Sequence, residues 1–157
     1  MLLIELVPRT AWGDNLRSRF KPGEWDRLRR ACYEKAGHKC EICGGAGKKH
    51  PVEAHEIWAY DDMSHVQTLR GLISLCPSCH EVKHFGRARV TGNEARAFDH
   101  LVKVNGWTEQ QARDHINDAF GIWQKRSRHP WVLDISLVET AKPHSVIGIA
   151  VPHGTVD

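Results

Sequence analysis

The sequence predicts an α+β fold, and three observations carry that expectation. Apolar residues recur at helical spacing on both sides of the centre: Trp25, Leu28, Cys32 and Ala36 before it, and Ala112, Ile116, Ala119, Phe120 and Trp123 after it. The centre holds two short apolar runs, "VEAHEIW" and "LRGLISLC", that read as strands. Two Cys-x-x-Cys pairs, Cys40 with Cys43 and Cys76 with Cys79, enclose those strands.

Each element follows in chain order. The opening carries Pro8, Trp12 and Gly13 without sustained periodicity and reads as an arm lying on the domain. A helix is expected from Glu24 to Ala36, with Gly37 as its left-handed stop. After the loop "GGAGKKHP" come the first strand, the polar loop "YDDMSH" and the second strand. The stretch "PSCHEVKHFG" reads as a short helix, with proline in its first turn and glycine at its end. The centre is therefore strand, strand, helix.

Beyond it, a helix from Asn93 to Val104 buries Ala97, Leu101 and Val104, and "NG" ends it. The next helix starts at Thr108, whose hydroxyl caps it while Gln111 returns the bond. This pair reads as scaffold. The run "WVLDISLVETA" reads as one strand and the last residues as loose. The expected organisation is one domain over residues 1–157: arm and helix 1–39, centre 40–86, helical extension 93–140 and loose tail 141–157.

A chain of 157 residues with this apolar content is large enough to bury its own core. No apolar run reaches the roughly 18 residues of a membrane span, and Glu5 and Pro8 interrupt the opening too early for a signal peptide. A cytoplasmic protein with no membrane partner is the expectation. Net charge is only +3, but cations cluster at Arg17, Arg19 and Lys21, at Arg27, Arg29 and Arg30, at Lys48 and Lys49, at Lys83, Arg87 and Arg89, and at Lys125, Arg126 and Arg128. Such patches suit a polyanion, although each taken singly also reads as a solvated face.

Five cysteines leave one unpaired, and in a reducing compartment Cys-x-x-Cys pairs read as metal or redox motifs. Cys32 lies on the apolar face of its helix and reads as a core thiol. The two pairs offer four thiolates, the donor set of a closed structural Zn2+ site clamping the base of the hairpin. His80 and His84, at i and i+4 on the short helix, project from one face and can hold a second ion. His55, on the first strand between Ala54 and Glu56, is the best third ligand. Three protein ligands leave open positions for water and phosphate oxygens, which suits hydrolysis.

This framework of Cys-x-x-Cys, "VEAHEI", "GLISLC" and Cys-x-x-Cys-His-x-x-x-His resembles the HNH endonucleases, whose ββα-metal core cuts or nicks DNA with a divalent ion. The resemblance covers residues 40–86, under a third of the chain. It implies an endonuclease hydrolysing phosphodiester bonds of DNA, with Mg2+, Mn2+, Ni2+ or Zn2+ as the catalytic metal held by His55, His80 and His84. Glu56 falls where the family has the histidine that activates the attacking water. Gly71 falls where the family usually has the asparagine that orients that base. In a register shifted by one, His55 would be the base and Ala54 would stand at a ligand position.

Around this site, Arg70, Lys83, Arg87 and Arg89 could hold phosphates. His50 could supply a base from the loop but reads as a solvated histidine. Trp58, Tyr60, Asp61 and Asp62 could line the site or fold the hairpin loop. A second class of function, a catalytically impaired zinc-stabilised module binding nucleic acid or protein, is favoured by Glu56 and Gly71. A redox role is disfavoured because one zinc accounts for both cysteine pairs.

Overall fold

The computed structural model describes residues 1–13, 15–21 and 23–140. The fold is mixed α+β, with helices α1 (Leu16–Arg19) and α2 (Glu24–Lys35) preceding strands β1 (Glu53–Asp61) and β2 (Val66–Leu75). Helices α3 (Pro77–Lys83), α4 (Phe85–Val90), α5 (Glu94–Asn105) and α6 (Glu109–Arg126) follow, then β3 (Val132–Asp134) and α7 (Ser136–Thr140). The three strands form one sheet in the order β1-β2-β3, with β2 antiparallel to β1 and parallel to β3.

The hairpin is longer than the two apolar runs suggest. Tyr60 pairs with Gln67 and Asp61 with Val66. The first two residues of the expected polar loop are thus strand, because cross-strand pairing continues until a turn stops it. The Asp61 carboxylate builds that turn, accepting hydrogen bonds from the backbone N–H of Met63 at 2.9 Å and from the Ser64 hydroxyl at 2.6 Å. Ile57 pairs with Gly71 but Trp58 with Leu69, so Arg70 is an extra residue in a bulge. Gly71 has φ 151°, a conformation that side chains strain.

Strand alternation gives the sheet two different faces. Glu53, His55, Ile73 and Leu75 share one, where Leu75 joins Leu2, Ile4, Val82, Phe85, Leu101 and Ile116 in the larger apolar cluster. Ala54, Glu56 and Leu72 share the other, where Leu72 and Leu69 pack with Leu16, Leu28 and Cys32. The helices α1 and α2 thus cover one face, and α3 to α6 the other.

Several expectations need correction. The opening arm is part of the core: Leu2 is fully buried, and its N–H and C=O bond the Asn105 side chain at 2.8 and 2.7 Å. The Ile4 N–H donates to His115 Nε2 at 3.0 Å, and Trp123 Nε1 donates to the Val7 carbonyl at 3.0 Å. The short helix ends at Lys83, not at Gly86. His84 (φ −95°, ψ 43°) breaks it and Gly86 lies inside α4, where an added Cβ would stand 3.4 Å from Leu6 Cδ2. The arm packs close at a residue that only resembles a stop.

The run after Pro130 is not one strand. Asp134 ends β3 by accepting bonds from the Ser136 N–H at 3.0 Å and hydroxyl at 2.6 Å, which starts α7. By contrast, α2 and α5 begin and end within a residue or two of the expected positions. Thr108 and Gln111 form the expected capping box, at 3.2 and 2.8 Å. The expected loose tail, 141–157, lies outside the described residues. Among the described residues no helix is long and apolar enough to cross a membrane.

Candidate metal centres

The first cluster joins the two knuckles. Cys40 and Cys43 sit on a turn closed by the Gly44 N–H on the Cys40 carbonyl at 2.8 Å. Cys76 caps α3 and Cys79 lies in its first turn, where the Cys79 N–H faces Cys76 Sγ at 3.5 Å. Glu41 ties the knuckles together: its N–H donates to the Ser74 carbonyl at 2.9 Å, and its carboxylate accepts from the Ser74 N–H at 2.6 Å.

The four Sγ atoms lie within 4.8 Å of one another, and Cys43 and Cys76 are 3.6 Å apart. Tetrahedral thiolates around zinc stand about 3.8 Å apart, so four cysteines here can coordinate one zinc ion. The hydrogen bond with Cys79 holds the Cys40 thiol down at about 4, while the same contact pushes Cys79 up, and burial pushes up Cys76. Cys32 stands apart, buried in the second apolar cluster, and burial lifts its thiol to about 12. It is a core residue, as its helical position implies.

The second cluster is imidazole. His55 comes from β1, His80 from α3 and His84 from the break after it. One nitrogen from each ring lies within 4.8 Å of the others. The Nε2 atoms of His80 and His84 are 3.2 Å apart, close to the separation of two nitrogens bound to one ion at about 2.1 Å. Burial holds His84 down at about 3, with His55 and His80 adding to the effect, and burial also lowers His80. Neutral imidazoles are the metal-binding form.

Carboxylates flank the imidazoles. Glu53 receives His80 Nδ1, and Glu5 Oε2 lies 2.9 Å from His55 Nε2. The other Glu5 oxygen accepts from Lys83 Nζ. Burial alone would raise the Glu5 carboxyl, but the His55 hydrogen bond and the Lys83 charge outweigh it and hold the group at about 2. Such carboxylates fix the tautomer and orientation of a ligand imidazole. Beside His80 and His84 opens a cavity of about 230 Å³ whose wall includes Glu53, Arg87, Thr91 and Asn93.

Glu56 is elsewhere. It accepts from the Leu16 N–H at 2.9 Å and from Trp58 Nε1 at 3.2 Å, and burial raises its carboxyl. Neighbours on a strand point to opposite faces, so the structure does not bring Glu56 to the imidazoles. Its oxygens serve the start of α1. The shifted register fares no better, because His55 joins His80 and His84 while Ala54 packs into the second apolar cluster.

The expected phosphate contacts also separate. Lys83 is only 7% exposed and paired with Glu5, so it does not reach a ligand at the surface. Arg89 bonds Glu94 at 2.7 Å and lies over the Phe120 ring, and Arg70 is exposed at the bulge, its charge acting on Asp134. Arg87 lines the cavity. Asp61 and Asp62 fold the hairpin end, Asp62 through a two-pronged bond to Arg126 at 2.7 and 2.8 Å. Tyr60 packs against Trp131, and His50 is exposed.

Three partners were missed in the sequence: Glu5, Glu53 as the His80 acceptor, and His100, whose Nε2 lies 3.2 Å from Cys79 Sγ. Glu5 alone left a signal, as the one acid in the apolar run "LLIELV". No family model, curated protein or solved structure matches the chain.

Proposed function

We propose that this protein is a metal-dependent DNA endonuclease of the HNH type. The observation that supports it most is the convergence of His55, His80 and His84 beside, and separate from, a complete four-cysteine cluster. A structural site needs only the cysteines; a second set of three imidazole donors with open positions suits catalysis. The four cysteines hold Zn2+, and the imidazoles hold Mg2+, Mn2+, Ni2+ or Zn2+. The chemistry such an ion supplies is polarisation of the phosphodiester and stabilisation of the leaving oxygen.

The chain's own residues do the rest. Glu53 and Glu5 hold the His80 and His55 rings in place, and Arg87 meets a phosphate in the cavity beside them. One observation favours a second reading, a zinc-stapled module that binds without cutting: Glu56, at the base position, is engaged by Leu16 and Trp58.

Supercoiled plasmid incubated with the protein and each metal tests both. Nicking that requires metal and disappears in His80→Ala is expected. A Glu56→Ala variant cutting at the parental rate would remove that carboxylate from the reaction. A gel shift without cleavage under any of the four metals would favour the binding module.

A further inference from the structure

A second hollow, of about 340 Å³, also has Glu53 in its wall, with Arg29, Tyr33, His38 and His50. Glu53 belongs to both walls, so this hollow and the one beside His80 and His84 meet at the first residue of β1. Resting on the nuclease reading, we infer that it is a second DNA subsite, holding the strand next to the phosphate at the imidazoles.

Three features of this hollow support a nucleic acid strand as the occupant. Polar side chains are plentiful: a guanidinium bonded to Asp26 and Tyr33, the Tyr33 phenol and two imidazoles surround it, and Glu53 in its wall is taken by His80. Cations stand near it: Arg29 in its wall pairs with Asp26 at 2.7 Å, and Arg17 and Arg30 also act on that carboxylate. Exposed Lys48 and Lys49 lead into His50. The aromatic side chains of Tyr33 and His38, with ring centres 6.5 Å apart, give bases a surface to stack on. A strand running from Arg87 past Glu53 to His50 would thus meet cations at both ends and imidazoles between.

The test uses the full zinc-loaded chain and a fluorescent single-stranded oligonucleotide read by anisotropy, without added divalent metal. His50 is exposed, so His50→Glu leaves the fold intact and puts a negative charge where the strand would pass. It is expected to weaken binding about tenfold and His50→Ala less, with Tyr33→Ala again about tenfold weaker. Ni2+ binding to the three histidines should stay at the parental level in all three. Parental affinity in both His50→Glu and Tyr33→Ala would overturn the subsite while metal-dependent plasmid nicking still upheld the nuclease. A parent protein that neither binds the oligonucleotide nor nicks plasmid would overturn both.

Discussion

Replacing Glu5 by glutamine removes a charge from the contact between the arm and the imidazole cluster, and its cost follows from how far that contact lowers the carboxyl. The carboxyl moves from an ordinary 4.5 to about 2 in the folded protein, which corresponds to about 3 kcal/mol before solvent screening. The side chain is 32% exposed, so water reduces that to about 2 kcal/mol. Lys83 sets the same scale from the other side, since its ammonium is left buried without a counter-charge. Because the folded-state value is depressed, this stabilisation is complete above pH 4.5 and fades as pH falls towards 2.

Thermal melts at fixed zinc should show Glu5→Gln lower by about 4–8 °C at pH 7. The difference from parent should shrink steadily below pH 4. In a cycle with Lys83→Met, the double variant should lose less than the sum of the singles, because the orphaned ammonium is gone. Metal affinity at the three histidines should fall about 10–100-fold through the loosened His55 ring. A Glu5→Gln protein melting within 1 °C of parent at pH 7, with unchanged metal affinity, would refute the reasoning.

Two more outcomes separate the site's parts. Cys76→Ser should lose bound zinc, measured by a colorimetric chelator, and unfold the centre, whereas His84→Ala should melt near the parent temperature while losing about 100-fold in cleavage rate; equal destabilisation by both would contradict two separate sites. Gly71→Asn places the asparagine usual in HNH enzymes at φ 151°, so it should cost about 1–3 kcal/mol in denaturant melts and bring no gain in cleavage rate.

What the sequence revealed and what it hid divide by distance along the chain. The two cysteine pairs and the His80 and His84 spacing are local geometry, set by a turn and one helical turn, and so is the Thr108 and Gln111 cap. Those were legible. The Glu5 contacts span 50 residues to His55 and 78 to Lys83, and no periodicity reports a contact of that kind. Glu56 was legible in principle, since a strand that turns His55 inward must turn its neighbour outward. The family pattern drew attention to its position instead of its direction. The run after Pro130 misled because its apolar residues suit a strand, while Asp134 and Ser136 impose a cap.

The arm also sets an order of assembly on a chain emerging from a ribosome. Leu2 and Ile4 find their partners 103 and 111 residues later, at Asn105 and His115. Zinc can gather the four cysteines soon after Cys79 has emerged, and Glu5 can meet Lys83 soon after through its backbone N–H and its carboxylate, but the contacts of Leu2 and Ile4 wait for α5 and α6. A nascent chain can therefore hold an anchored centre before the contacts of Leu2 with Asn105 and Ile4 with His115 are made.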